Sequence, residues 1–553
     1  MKKLFLLCFL LLAVPAEAAV YWASTTGNGA TCGTTGTGDP GSGYTTLAKG
    51  VTCLAAGDTL NLKGGTYPDS NRIVTNSGSS FSNPITIKSA PGEVVTFTGT
   101  LPIDVYSGSF SYVIIDGSNG NTTPCSTGAC TTNIIFDGAL GGSNITTNLA
   151  HHIRWKGVEI KNMTVSGFQT NGIGHELINS RVHNNGTVTI SGTPQDHGMY
   201  LGAQDSIIDG NDIYSNCGAG IQAYSGTNMS ANNNLILRNN LIRTNGTCGS
   251  MHAIIVAAGT GMKIYTNVVY SNNGAGITVY NIGANGTVVY NNTVYGNAQA
   301  GLWLFPGPAA TGTVWRNNIS ANNAGSNIDW SAGSVTSSNN LCSGAATGCN
   351  LVETATTTFT NPGSGDFTLK TSPVSIAVNA GATNIAPGVN IAACSGGVTV
   401  NCYNGALPDL GALETGSPGV GGGPPTLTPN LTSVAAGQVI QVTVDDDDTN
   451  ERTESTGDWV GIYSSTTGIQ QDWFYMNGTK VAPTVAISDA VITFTAPATA
   501  GAYEFRFYQN GSSLEADRLA TTAFTVTAPG IVIKFAISAL KIGPSVTMKI
   551  GTP

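Results

Sequence analysis

Between about residue 150 and residue 330 the chain repeats itself, and this constrains its fold more than any single motif does. The stretches INSRVHNNG, GNDIYSNCG, NNLIRTNGT, TNVVYSNNG, NNTVYGNAQ and NNISANNAG align in two columns. The first column holds Asn179, Asn211, Asn240, Asn267, Asn292 and Asn318; the second holds Asn184, Asn216, Asn245, Asn272, Asn297 and Asn323. Successive copies are 32, 29, 27, 25 and 26 residues apart, and short β-branched runs alternate with Asn or Gly corners. The longer 3.6-period runs of a helical repeat are absent. Such a sequence reads as a coil of short strands, each turn stacked in register on the one below. Asn suits the corners because it tolerates left-handed backbone angles and its amide can bond to the same amide one turn away. Stacked turns bury Ile, Val and Leu that no single turn could bury.

The flanking segments extend this reading. VYWASTTGNG and GDTLNLKGGTY read as an opening strand and first coil, while SPVSIAVNAG and PDLGALETG read as closing segments. With these, residues 20–415 resemble the secreted right-handed parallel β-helix proteins of the pectate-lyase-like class. The resemblance implies an all-β solenoid and an extracellular polysaccharide as partner. After it, GSPGVGGGPPTLTP contains the linker, placed at 416–423. Residues 424–528 carry strands at sandwich-like intervals and resemble an immunoglobulin-like β-sandwich. The tail, 529–553, is apolar and alternating, and its role is open.

At the other end, MKKLFLLCFLLLAVPAEAA has the two lysines, apolar run and small-residue cleavage site of a signal peptide over 1–19. Export to the cell surface or beyond is the expectation, with no membrane span and with the protein acting as a monomer. Cleavage takes 22 basic and 31 acidic groups to 20 and 30, a net charge of −10. An acidic chain without a basic stripe is a poor partner for nucleic acid. The ten remaining cysteines fall into neighbouring couples: Cys32 with Cys53, Cys125 with Cys130, Cys217 with Cys248, Cys342 with Cys349, and Cys394 with Cys402. In an exported chain such spacings read as disulfides. Spacing alone does not fix connectivity.

One stretch, DHGMYLG at 196–202, draws attention because all six histidines lie between residues 151 and 252. The repeat serves as a ruler: His197 to Leu201 align with AGIQA, HAIIV, AGITV and AGLWL. Met199 and its equivalents then point into the coil, while Tyr200, Gln222, Ile255, Thr278 and Trp303 point out. His197 and His252 share a column, two turns apart. Two readings follow. In one, Asp196, His197, Tyr200 and His252 line a groove that binds a sugar chain and moves protons. In the other, His-Gly-x-Tyr is a corner variant whose imidazole bonds to a backbone carbonyl.

A further outward column contains Tyr214, Arg243, Tyr270 and Tyr295. Its rings suit stacking on sugars and its guanidinium suits a uronate carboxylate, although Tyr is also ordinary on a β-surface. Relatives that cleave acidic polysaccharides need a base near the sugar's α-proton and a cation to hold the carboxylate. The candidate cations are Arg181, Arg238, Arg243 and Lys263, the last a lone charge in an apolar outward column. The alginate epimerases of this class carry Asp-Pro-His where this chain has Gln195-Asp196-His197. Hydrolysis needs carboxylates on adjacent turns, for which only Asp196, Asp205, Asp209 and Asp212 offer themselves. The expected function is therefore binding and processing of a uronate-containing polysaccharide by a lyase or epimerase; the alternatives are a non-catalytic glycan-binding surface protein and a glycoside hydrolase. In the sandwich, Asp445, Asp446, Asp447 and Asp448 crowd one loop, a Ca²⁺ site if not simply a solvated acidic loop.

Overall fold

The computed structural model describes residues 18–528, apart from 28–31, 33–44, 69–75, 99–109, 128–129, 141, 143, 148–149, 188, 191–192, 225–231, 281–283, 306–310, 331–334, 345–347, 395–401, 404–405, 416–425, 446–455, 485–489 and 509–517. The chain divides into two compact units, Met1–Gly421 and Gly422–Pro553. The leader, linker and tail assigned from sequence fall largely or wholly outside the described residues.

The first unit is a right-handed parallel β-helix with three sheets. One turn shows the plan. Ile207–Asp209 lies on sheet 1, Asp212–Tyr214 on sheet 2 and Ile221–Ala223 on sheet 3, before Ile236–Arg238 returns to sheet 1. Sheets 1 and 2 each have 12 strands and sheet 3 has 8. Pairing is parallel and in register, so that Ile208 pairs with Leu237 and Ile213 with Ile242. Alternation then sends Ile208, Ile213, Ile221, Leu237 and Ile242 into a single buried core. Each such side chain contributes roughly 1.5–3 kcal/mol on leaving water.

Two Asn ladders brace the corners on either side of sheet 2. Asn267 is typical: its Oδ1 accepts from the Asn240 backbone N–H at 3.1 Å and from Asn240 Nδ2 at 2.9 Å. Its own Nδ2 donates to Asn292 Oδ1 at 3.0 Å and to Leu237 O at 2.9 Å. The ladders correct the alignment in its first copy. The rung residues there are Ser180 and Asn185, one position beyond Asn179 and Asn184, so the first step is 31 residues and not 32. They also separate two duties that the sequence reading gave to one residue. Left-handed backbone falls on the residue before the rung: Asn239 (φ 54°) before Asn240, Thr266 (φ 52°) before Asn267, and Ser271 (φ 54°) before Asn272. The rung Asn supplies the amide, and its neighbour supplies the turn.

The coil is closed at both ends and tied by disulfides. Helix Leu47–Thr52 begins at Thr46, whose side chain accepts from the Lys49 N–H. After the last coil, the hairpin Phe359–Asn361 with Asp366–Leu369 folds back onto sheet 2. Ile385, Ala386 and Ile391 likewise cover part of sheet 1. The five bonded pairs are Cys32–Cys53, Cys125–Cys130, Cys217–Cys248, Cys342–Cys349 and Cys394–Cys402. These are the neighbouring couples seen in the sequence.

The second unit is a β-sandwich. A three-stranded sheet, Thr426–Pro429, Val439–Asp445 and Ala490–Thr495, faces a five-stranded one built from Ser433–Ala435, Trp459–Ser464, Gln470–Tyr475, Gly501–Tyr508 and Arg518–Thr527. Ile440, Val442, Ile462, Phe494, Phe505 and Phe524 fill the space between them.

Candidate functional site

Sheet 3 holds the DHGMYLG motif, and its outer face is the candidate site. The ruler holds here: Met199, Ile221, Ile254, Ile277 and Leu302 pair in succession and are buried. Tyr200, Gln222, Ile255, Thr278 and Trp303 form the outward column. Two residues further on runs a second outward column with Tyr280 and Phe305, stacked at 4.3 Å between ring centroids. Tyr224, just beyond its strand, is 38% exposed. Trp303 contacts Phe305 at 4.8 Å and reaches back to His252 at 5.4 Å. Between Ile255 and Trp303 in the column, Thr278 is fully buried and its hydroxyl has no hydrogen-bond partner among the described residues. Tyr200, Tyr224, Tyr280, Trp303 and Phe305 thus place aromatic side chains along one sheet face, interrupted at the Ile255 turn, with the amides of Gln169 and Gln222 on either side of Tyr200. Phe305, beside Trp303 in LWLFPG, already favoured sugar binding in the sequence, whereas Tyr224 and Tyr280 escaped that reading, which followed one outward column per strand; the same ruler carried two residues further finds them.

His197 of the motif and His252, its equivalent two turns on, are built into the scaffold. His197 is 1% exposed and His252 9%. The Nδ1 of His197 accepts from the Ala219 N–H at 3.0 Å, and that of His252 from the Ala275 N–H at 3.0 Å. Each therefore bonds a backbone donor of the next turn, where the corner reading expected a carbonyl. With Nδ1 an acceptor, the neutral ring carries its proton on Nε2. Burial depresses both imidazoles to about 4. Gly218 is required for this contact, because a Cβ there would lie 2.6 Å from His197 Nδ1. Tyr200 stacks on His197 at 5.8 Å, and burial, followed by nearby Tyr224, raises its phenol above the usual value. Asp196 is buried at the same corner, and its carbonyl accepts from the Gly218 N–H at 2.7 Å. Neither imidazole is a neutral-pH base lining a groove, as the first reading required.

The other candidates lie on different faces. Arg243 is on sheet 2, ion-paired with Asp212 at 2.8 Å and laid over the Tyr214 ring at 4.2 Å, which itself stacks on His183. Burial raises the Asp212 carboxyl against the opposing pull of Arg243. Tyr270 and Tyr295 follow in that column as expected, but each packs at 5.2 Å against Phe367 of the closing hairpin, which leaves them partly buried. The repeat could not reveal this, because what covers them comes from outside it. Lys263 is on sheet 1 between Ile236 and Val288, as read. The proposed base, the phenol and the two cations are therefore divided among three sheets.

Two further observations concern chemistry. Asp446, Asp447 and Asp448 lie outside the described residues, as does the side chain of Asp445; among the described residues no three His, Cys, Asp or Glu side chains gather as metal ligands. At the corner where two paired strands of sheet 1 begin, Ser111–Asp116 and His151–Lys156, Tyr112 and His152 both adopt left-handed backbone (φ 55°), costly for bulky residues. The twist breaks strand alternation and brings His151 Nδ1 to 2.9 Å from His152 Nδ1. Tyr112 packs on the His152 ring at 4.8 Å, and Arg154 pairs with Glu176 close by.

Residues 111–284 and 248–362 match the family model of the right handed beta helix region. No curated protein matches the sequence significantly. Among solved structures, the chain is similar to the pectate lyase Pel9A, with 17% identity, 72% of this chain and 97% of that one covered, and a TM-score of 0.46. It is also similar to the A-module of the mannuronan C-5 epimerase AlgE4 of Azotobacter vinelandii, with 15% identity, 52% and 83% covered, and a TM-score of 0.29. The PL6 family polysaccharide lyase Pedsa3628 from Pseudopedobacter saltans gives 15% identity, 54% and 90% covered, and a TM-score of 0.30. These likenesses concern the fold alone.

Proposed function

We propose that this protein is an exported polysaccharide-binding β-helix whose ligand lies along the outer face of sheet 3. The observation that carries the reading is the set of aromatic side chains from Tyr200 to Phe305 on one face, present on four of five successive turns and replaced by Ile255 on the third. Aromatic rings offer flat apolar surface to the faces of sugar rings, and the bordering amides supply hydrogen bonds to hydroxyls. A pyranose is about as long as one strand step of ~4.8 Å, so consecutive sugars meet consecutive turns. Export is supported by the basic-then-apolar leader sequence and by five disulfides. Among the described residues no helix is long and apolar enough to cross a membrane.

Lyase or epimerase chemistry requires a base and a cation at one sugar, and the residues named for those roles stand on separate sheets. A catalytic reading draws support from one other arrangement, the strained corner of Tyr112, His151, His152, Arg154 and Glu176, where a hydrogen-bonded imidazole pair lies next to a carboxylate.

Affinity electrophoresis of the mature protein through gels cast with a panel of polysaccharides tests the binding reading. Retardation that is lost in Trp303→Ala, with an unchanged circular dichroism spectrum, is the expected result. Equal retardation of the variant would remove sheet 3 as the binding face. Assaying the same panel for unsaturated products with wild type and His152→Ala tests the corner.

A further inference from the structure

The sheet 3 face also indicates which polysaccharide it takes. From residue 164 to residue 341 the sequence contains five basic side chains other than histidine: Arg181, Arg238, Arg243, Lys263 and Arg316. Arg181 and Arg243 are on sheet 2; Arg238, Lys263 and Arg316 are on sheet 1. Two of the five are engaged with acids of their own sheets, Arg238 with Asp209 at 2.7 Å and Arg243 with Asp212 at 2.8 Å. Sheet 3 strands from Phe168–Ile173 to Ile328–Asp329 therefore carry no Lys or Arg. Nor do the stretches that flank them, whose composition is plain from the sequence: 187–195, 225–231, 246–251, 281–283 and 306–310 contain none. The acids associated with this face are Asp196 and Asp205 at its corners and Asp329, paired with Trp303 in the outward column. The two buried histidines are neutral and hold backbone donors, so they supply no positive charge either.

We infer that the ligand of sheet 3 is a neutral polysaccharide, recognised by ring stacking and hydroxyl hydrogen bonds, and that polyuronates are excluded. This rests on the reading of sheet 3 as the glycan-binding face. A polyuronate brings about one carboxylate per strand step to a surface that holds aromatic rings, amides and acids. Each carboxylate would lose part of its hydration without a cation or a row of N–H donors to replace it. The overall acidity of the chain adds long-range repulsion. A neutral glycan meets none of these costs and uses the same rings. The inference reverses the expectation of a uronate substrate, which counted cations by their nearness along the sequence; the coil turns those cations onto other faces.

The test is equilibrium binding, by titration calorimetry on the full mature protein, of neutral chains (xylan, glucan and galactomannan oligosaccharides) and of polygalacturonate and alginate oligosaccharides of matched length. Three variants accompany the wild type: Trp303→Ala, Tyr224→Ala as the exposed substitution in case the first fails to fold, and Gln222→Lys, which places a cation in the outward column. The expected result is that at least one neutral chain binds at least about tenfold more tightly than every uronate chain, with little dependence on salt. The aromatic variants should lose that binding, and Gln222→Lys should gain uronate affinity that high salt removes. Uronate binding as tight as neutral binding, and lost in the aromatic variants, would overturn the inference while leaving sheet 3 as the binding face. Binding of neither class, or binding untouched by both aromatic variants, would overturn the reading on which it rests.

Discussion

Mild acid should destabilise this protein through three histidines. His175, His197 and His252 are buried, and burial holds each at about 4 in the folded state, against roughly 6.5 for an exposed imidazole. Above about pH 6.5 the rings are neutral in both states and cost nothing. As pH falls below that value the unfolded chain takes up protons that the folded chain refuses, so stability declines until about pH 4 and then levels off. One unit of pKa difference corresponds to about 1.4 kcal/mol, so at about pH 5 each ring accounts for roughly 2 kcal/mol and the three for roughly 6. That is comparable with the whole stability of many domains, about 5–15 kcal/mol. The assay is urea unfolding followed by circular dichroism at neutral pH and at about pH 5, for wild type and for His197→Asn, whose amide oxygen can replace Nδ1 as the acceptor for Ala219 N–H. The variant should lose about a third less stability on acidification, a difference of roughly 2 kcal/mol at pH 5. An identical pH dependence in the two proteins, or a wild type insensitive to acid down to about pH 4.5, would refute the assignment of His197 as a buried neutral rung.

Other substitutions probe the scaffold and its faces. Asn267→Ala removes the acceptor of a buried N–H and an amide shared between turns and should cost about 2–4 kcal/mol in urea unfolding; Asn267→Ser should cost less, because Ser180 serves as a rung, its Oγ accepting from the Val158 N–H at 3.1 Å. Arg243→Gln leaves Asp212 buried without its cation and should lower stability by about 1–2 kcal/mol, while retardation in neutral-glycan gels stays as in wild type. Replacing both Cys217 and Cys248 by Ser opens a loop with a sequence separation of 31 and should cost about 3–4 kcal/mol, read as a lower urea midpoint.

The sequence disclosed the register of the coil more readily than the use of its surfaces. Repetition exposed the parallel stacking, and the alternation in MYL, IQA, IIV, ITV and LWL separated inward from outward positions correctly. The first copy slipped by one because Ser180 stands where later copies have Asn, and Asn179 beside it mimics the rung. Tyr270 and Tyr295 were placed in the right column, yet the hairpin that covers them follows the repeat and shares no pattern with it. His197 was read as solvent-facing chemistry or as a partner of a carbonyl; its use of Nδ1 as an acceptor depends on the gap left by Gly218 one turn away, a contact between residues 21 apart that no local pattern displays. Tyr112 and His152 gave no warning, since nothing in either residue type signals left-handed backbone.

The ladders have a consequence for how such a protein can diversify. From one corner rung to the next across sheet 2 the distance never changes: 180 to 185, 211 to 216, 240 to 245, 267 to 272, 292 to 297 and 318 to 323. Yet the turns differ in length, with ladder steps of 31, 29, 27, 25 and 26 residues. All of that variation is discharged between the second rung and the following sheet 1 strand, on either side of sheet 3, since each sheet 1 strand starts the same distance before its rung. An insertion or deletion there disturbs neither amide ladder, whereas one residue added to sheet 2 would break the register of both. Mutation thus finds one side of the coil rigidly specified and the other permissive, and the permissive side is the one that presents Tyr200, Tyr224, Tyr280 and Trp303. A lineage built on this frame can rewrite those loops while its hydrogen-bonded spine is inherited unchanged.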